Sequence, residues 1–499
     1  MAHKAKSTTT DKPKRRKTPS FIVDLPLRTS REDDKHLNDR FLCGSRLNNV
    51  TLQEGLDIVK AMHNDQEWQS ARKIKDIEKR KVAYQAVRTR HGFSSANFDD
   101  LVAQHAKAAH FNKRIGSHEM QAIAKRVFNA LNRWVVAKGG KPRFKGKNRA
   151  LHSVEGKNND GMLRWFKEEQ VFQVEKGWQI PVILPNLKNN EWLADALQAD
   201  TKYCRIVWRR LNGVKRWYVQ LVQEGLTPQK AEFLEKLAQE GSEGGLDLGP
   251  GTVAWCTATE AGLLKLCPEI DRPEKVIRAI QRSVDRKRRE ANPDNYKPDG
   301  TIRKGRKTWN VSNRQKKDES RLTNMQRKEA ATRNSSHGRL VNRFLTKARN
   351  WKDDNVSAKS LQRNYGKSVG KRAPGMLMSE LTRKAARTGG KREAIDIRNL
   401  KTSQYDHSTD TFKKKKLSER WHFFGDGRGK VQRDVYSAFL ALHSEGSTHN
   451  PCVLETAWQA LEPALRVAGL FVVAQGARES YADPRKDFDF RQSTSPVRF

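Results

Sequence analysis

Glu243-Gly-Gly-Leu-Asp-Leu-Gly-Pro-Gly-Thr-Val-Ala-Trp255 reads as a strand, a tight small-residue turn and a second strand. Asp247 stands mid-strand between Leu246 and Leu248, whose burial would bury the carboxylate with them. Gly249 and Gly251 leave the space above it open to a polymer backbone. A carboxylate placed this way suits metal-dependent phosphoryl transfer, although an Asp beside Gly is also a common turn residue. A second acidic residue, Asp434, opens an apolar-periodic segment (Val435, Ala438, Phe439, Ala441, Leu442) that reads as a helix over 431–443. An Asp in a first helical turn also has a purely structural use, because the helix dipole favours it.

The surrounding composition narrows the partner. The 499 residues hold 98 Lys+Arg against 57 Asp+Glu, a formal net charge of +41, which calls for a polyanion. No apolar run approaches the length of a membrane span, and the basic N-terminus has no apolar core behind it, so the expected location is the cytoplasm, with the nucleoid. Five scattered cysteines without a Cys-x-x-Cys pair fit a reducing compartment and argue against a cysteine zinc site. Twelve Trp, 19 Phe and 8 Tyr argue for folded cores despite 31% charged residues.

Residues 51–138 read as helical, with Leu52, Leu56, Val59 and Met62 at helical spacing. Pro142-Arg-Phe-Lys-Gly-Lys-Asn-Arg149 follows as a basic loop, supplying Arg143, Phe144, Lys145, Lys147 and Arg149 as nucleic-acid contacts. Two strand-like runs then flank Asn212-Gly213, a hairpin signal. Arg205, Arg209, Arg210, Lys215 and Arg216 sit there among Trp208 and Trp217, offering phosphate contacts beside stacking surfaces, or simply a solvated basic sheet face. Residues 282–349 read as a basic helical hairpin with its loop around 293–305, 355–361 as a buried strand, 376–387 as a helix, 393–398 as a strand, and 457–474 as a helix–strand pair.

Taken in order, these pieces resemble the RuvC-like core of TnpB proteins and type V CRISPR effectors. Gly245-Leu-Asp-Leu-Gly-Pro-Gly-Thr is similar to the first RuvC motif, His337-Gly-Arg-Leu-Val-Asn-Arg-Phe-Leu to the helix before the second, Leu400-Lys-Thr-Ser-Gln to the segment before the zinc pair, and Gln432-Arg-Asp-Val-Tyr-Ser-Ala to the third. Gly140-Lys-Pro-Arg-Phe-Lys resembles a wedge-domain loop. The resemblance implies a multidomain α+β protein. Its parts would be a basic arm and start of the wedge domain (1–50), a helical recognition domain (51–138), a β-barrel wedge domain (139–243), an RNase H-like (RuvC) α/β domain with helical insertions (244–445, with a degenerate zinc module at 404–432) and a tail (446–499). It further implies guide RNA and double-stranded DNA as partners, and Mg held by Asp247, Asp434 and a third carboxylate.

That third carboxylate is where the chain departs from the pattern. Lys359 stands where the second motif has Glu, and Asn399 at the alternative position, leaving Glu380, Glu393 and Asp396 as weak substitutes. A lysine among metal ligands would oppose cation binding. The zinc cysteines are also missing, so no structural zinc is expected; Asp406, His407, His422 and Asp426 stand in that region. Three readings remain open from sequence: an RNA-guided DNA-binding protein whose RuvC activity is lost or impaired and which acts by silencing, an active Mg-dependent endonuclease with a displaced carboxylate, and a transposase-related DNA-binding protein without guide RNA.

Overall fold

A computed structural model of the chain describes residues 18–146, 150–271, 274–354, 358–416 and 418–474. The basic arm, Lys147, Arg149 and the last 25 residues lie outside them. The chain divides into two compact units, Met1–Gln229 and Lys230–Phe499. Among the described residues no helix is long and apolar enough to cross a membrane.

The first unit contains, in order, β1 (Ser20–Pro26), α1 (Arg31–Asn64), α2 (Gln66–Ala71), α3 (Ile77–Arg90), α4 (Ser95–Ala108), α5 (Ser117–Val135), β2 (Ser153–Glu155), β3 (Arg164–Phe166), β4 (Val171–Glu175), β5 (Trp178–Pro181), α6 (Glu191–Gln198), β6 (Thr201–Leu211) and β7 (Val214–Glu224). Ser30 caps α1 reciprocally with Asp33, and Glu32, Asp33 and Asp34 complement the dipole in its first turn. The expected boundary at residue 50 falls inside this single helix. Its first turns bury Leu37 and Phe41 in the sheet core, and its last bury Leu52, Val59 and Met62 in the helical core. Arg40, buried on the same helix, pairs with buried Glu119 of α5 and with Glu175 of β4 at 3.0 Å, tying helices to sheet.

The expected barrel is a pair of open sheets among the described residues. One has the order β1-β7-β6-β2 and the other β3-β4-β5. They share a core containing Leu25, Trp165, Phe172 and Trp217, and a bridge between Leu27 and Val182 links them. β2 and β3 have three residues each, too few ladder bonds to carry the sheet round to closure. The β6–β7 hairpin turns at Asn212 (φ 50°) and Gly213 (φ 82°), the positive-φ pair that a type I′ turn requires.

The second unit contains α7 (Ala231–Glu235), β8 (Glu243–Leu248), β9 (Thr252–Cys256), β10 (Ala261–Lys265), α8 (Glu274–Glu290), α9 (Asn313–Leu345), β11 (Asn350–Asp353), α10 (Ala358–Arg372), α11 (Pro374–Arg387), β12 (Arg392–Ala394), α12 (Ile397–Leu400), β13 (Tyr405–Asp406), β14 (Thr411–Phe412), β15 (Trp421–Phe423), β16 (Gly429–Gln432), α13 (Arg433–Leu442), α14 (Pro451–Val467) and β17 (Phe471–Val473). A mixed sheet runs β10-β9-β8-β11-β12, antiparallel on the β9 side of β8 and parallel on the β11 side. Strand alternation assigns its faces. Leu246, Leu248, Val253 and Trp255 pack with Val341 and Phe344 of α9 and Leu381 of α11. Ala254 and Cys256 pack with Val435 and Phe439 of α13 and Trp458 of α14.

Three sequence expectations need correction here. Of the strand placed at 355–361, residues 355–357 lie outside the described residues and Ala358 opens a helix whose Leu361, Tyr365 and Ser368, at helical spacing, face one cleft; the strand of this region is Asn350–Asp353. The strand placed at 393–398 is shorter, Arg392–Ala394, and gives way to α12. The tail from residue 446 is part of the core as far as residue 474: α14 buries Leu454, Trp458, Leu461 and Leu465, and β17 extends the β15–β16 sheet.

Candidate active site

Asp247 leaves the central strand β8 on the face that α13 covers, while its neighbours Leu246 and Leu248 enter the opposite core. The parallel register sets Leu246 beside Asp353, so the next residue of each strand, Asp247 and Asp354, comes side by side at the strand ends. Asp434 arrives from the first turn of α13, where Gln432 caps the helix by accepting the Val435 N–H at 2.7 Å. All three aspartates line one cleft of about 590 Å³, with Gly249, Gly251, Tyr365, Ser368 and Arg433 among its walls.

The electrostatics express this crowding. Burial, then the charges of Asp434 and Asp354, push the Asp247 carboxyl well above the ordinary carboxylate range, against the opposing pull of Arg433 and the Ser437 hydroxyl. The Arg433 guanidinium lies against Asp434 Oδ1, at 3.0 Å from Nη2 and 3.2 Å from Nε.

Sequence reasoning missed Asp354. The available signal was the run Asn350-Trp-Lys-Asp-Asp354, a short alternation ending in two acids. The residues proposed for the third carboxylate lie elsewhere. Lys359 is exposed on α10, Asn399 donates to Asp396 at 2.7 Å, and Asp396 also accepts from Ser447. Glu380 is held by Arg383, and Glu393 pairs with Lys391 at 2.9 Å. None of these five lines the cleft.

Hard carboxylate oxygens are the donor type that magnesium takes, so the three aspartates fit that ion chemically. Among the described residues, however, no three His, Cys, Asp or Glu side chains are already gathered as a ligand set. The residues considered for a zinc-like role form a hydrogen-bonded aromatic cluster. Asp406 accepts from Ser408 and from the Gly425 N–H at 2.8 Å, and lies 3.5 Å from His422 Nε2. The Lys415 ammonium meets His422 Nδ1, Tyr436 Oη bonds His407 Nδ1 at 2.7 Å, and Asp426 pairs with Arg428 outside the cluster.

Burial holds His407 down at about 4 from 6.5. The unfolded chain therefore takes up a proton that the folded unit refuses, and His407 withdraws stability as pH falls from 6.5 toward 4, by about 1.4 kcal/mol per pH unit. Asp247, raised by burial, has the opposite sign, so the check is differential. Urea unfolding of His407→Phe and the unaltered protein between pH 7 and pH 4.5 should show the variant's relative stability improving with acid; parallel curves would contradict it.

In the first unit, the hairpin's aromatic residues serve its own core. Trp217 is 2% exposed, and Trp208 donates its indole N–H to Leu151 O at 2.8 Å. Lys215 lies 4.0 Å over the Trp217 ring, and burial, then Arg210, bring its ammonium down to about 8. Strand register causes this, because Trp208 pairs with Trp217 and both turn inward. Arg205 is bound by Glu155 at 2.7 Å and Arg209 by Asp24. The Lys145 backbone is clamped by Asn49, and burial lowers its ammonium. Arg143, Phe144, Arg210 and Arg216 remain exposed.

Among solved structures, the chain is similar to a cryo-EM structure of the Cas12f1–sgRNA–target DNA complex, with 13% identity, a TM-score of 0.43, and coverage of 85% of this chain and 98% of that one. A cryo-EM CRISPR-Cas12f ternary complex gives 12% identity, a TM-score of 0.29, and coverage of 86% and 100%. Scores this low carry no conclusion about this chain. No protein-family profile and no curated protein matches it.

Proposed function

We propose that this protein is an RNA-guided DNA-binding protein of the TnpB and type V effector kind, with an RNase H-like endonuclease centre formed by Asp247, Asp354 and Asp434. The observation that carries the nuclease part is the meeting of these three aspartates, from two parallel strands and one helix, on one cleft. Guidance by RNA rests on the order of the sequence motifs and on the +41 charge. The case for an impaired centre rests on Lys359 and Asn399 standing where the motif has Glu, and neither side chain lines the cleft.

Divalent magnesium, when bound by such carboxylates, activates a water and neutralises charge on the leaving oxygen of a phosphodiester. The chain's own residues do the positioning. β8 and β11 fix Asp247 and Asp354 side by side, and α13 presents Asp434 from its first turn. Arg420 and Lys401 line the same cleft as cations for a phosphate backbone.

The deciding experiment is purification from cells, sequencing of co-purifying RNA, and incubation of the complex with a matched duplex and Mg. A discrete RNA and target-dependent cleavage are expected. Absence of any discrete RNA would sink the guided reading, and tight target binding without products would return the protein to silencing.

For the exposed basic residues of the first unit, Arg210→Ala with Arg216→Ala should weaken binding of unrelated duplexes uniformly. Each lost phosphate contact should reduce the salt slope of log K by about 0.9. A slope unchanged from the unaltered protein would remove these two residues from the interface.

A further inference from the structure

The Arg433 side chain makes contacts that the catalytic reading leaves unexplained. Its Nε and Nη2 converge on a single oxygen of Asp434. Its third nitrogen, Nη1, donates away from the carboxylates to Glu419 O at 2.8 Å and Lys416 O at 3.4 Å. Both side chains are largely buried, 13% and 17% exposed, so the pair is poorly screened by solvent. Asp434 Oδ1 therefore already has a cation, held from behind by backbone carbonyls.

Three carboxylates brought together need positive charge nearby. The guanidinium fixed at Asp434 Oδ1 supplies it, and a divalent cation approaching that oxygen meets a like charge within a few Å.

Building on the proposed metal-dependent centre, we infer that Arg433 is a resident counter-ion that competes with the divalent cation for Asp434 and must leave Oδ1 before the site fills. The carbonyls that hold Nη1 belong to Lys416, the last of the four-lysine run Lys413–Lys416, and to Glu419. Once freed, the guanidinium has a substrate phosphate in the cleft as its next partner.

The test uses manganese as probe and the full chain without nucleic acid, measuring Mn affinity by calorimetry for the unaltered protein, Arg433→Gln, Arg433→Lys and Asp354→Asn. Arg433→Gln should bind Mn at least about fivefold more tightly, the lower end of ordinary coupling between sites. Arg433→Lys, which keeps the charge, should stay near the unaltered value. Thermal unfolding of each variant checks that it is folded, and the Lys variant keeps the comparison open if the Gln variant is not. Equal Mn affinity for the Gln variant and the unaltered protein, with Asp354→Asn binding more weakly, would overturn the counter-ion role alone. Equal weakening in the Gln and Lys variants would make Arg433 a structural support and overturn it as well. Absence of saturable Mn binding in all four would sink the metal centre itself.

Discussion

Asp354→Asn should reduce Mg-dependent cleavage of a matched target by ~10³-fold or more while leaving target binding intact, because it removes one of three charges that hold the ion without altering shape. The expectation follows from register. Asp353 pairs with Leu246, so the next residue of β11 stands beside Asp247, and its charge is among those that raise the Asp247 carboxyl. Lys359→Ala, Glu393→Gln and Asp396→Asn serve as controls. None of the three residues lines the cleft, and each variant should cut at a rate close to that of the unaltered protein. Loss of cleavage in Glu393→Gln together with full activity in Asp354→Asn would move the third carboxylate to β12 and refute the assignment.

The contrast between Asp247 and Asp354 shows which parts of this centre could be read from sequence. Leu-Asp-Leu-Gly announces its strand by local pattern and Gln432-Arg-Asp a helix start, so the placement of those two aspartates was legible from their neighbours, while their joint reading as a site came from the order of the motifs. Asp354 follows a strand of four residues in which the next buried position after Trp351 is filled by Asp353, a polar residue paired with Arg392, so the apolar alternation is broken. What brings it to the cleft is parallel pairing to a strand far away in the chain, and no local pattern carries that information. The β6–β7 turn was legible because Asn-Gly is a backbone requirement, whereas the role of Trp217 was not. Arg216 and Trp217 are adjacent in sequence but lie on opposite faces of the strand, one in solvent and one in the core. Helix α1 erased an expected boundary for a related reason: its stripe is continuous, but it contacts two different cores in succession.

Gly245→Ala is expected to be the most damaging single-methyl change in the second unit. A Cβ at Gly245 would stand 2.0 Å from Ala438 O and 2.6 Å from Leu442 N, both backbone atoms of α13, so no side-chain rotation can relieve the clash. The adjacent Gly244 is equally constrained on the other face, where a Cβ would meet the Trp351 ring at 2.5 Å. The helix could give way only by lifting from β8, and lifting it separates Asp434 from Asp247 while opening the core around Val435 and Phe439. Overpacking of this kind costs roughly 3 kcal/mol, here without a flexible neighbour to absorb it. Urea unfolding followed by the fluorescence of the second unit's tryptophans should show that loss, and folded Gly245→Ala should cleave far more slowly than its retained stability predicts. If Gly245→Ala unfolds at the same urea concentration as the unaltered protein and cleaves normally, α13 does not rest on β8 at this point, and the placement of Asp434 beside Asp247 fails with it.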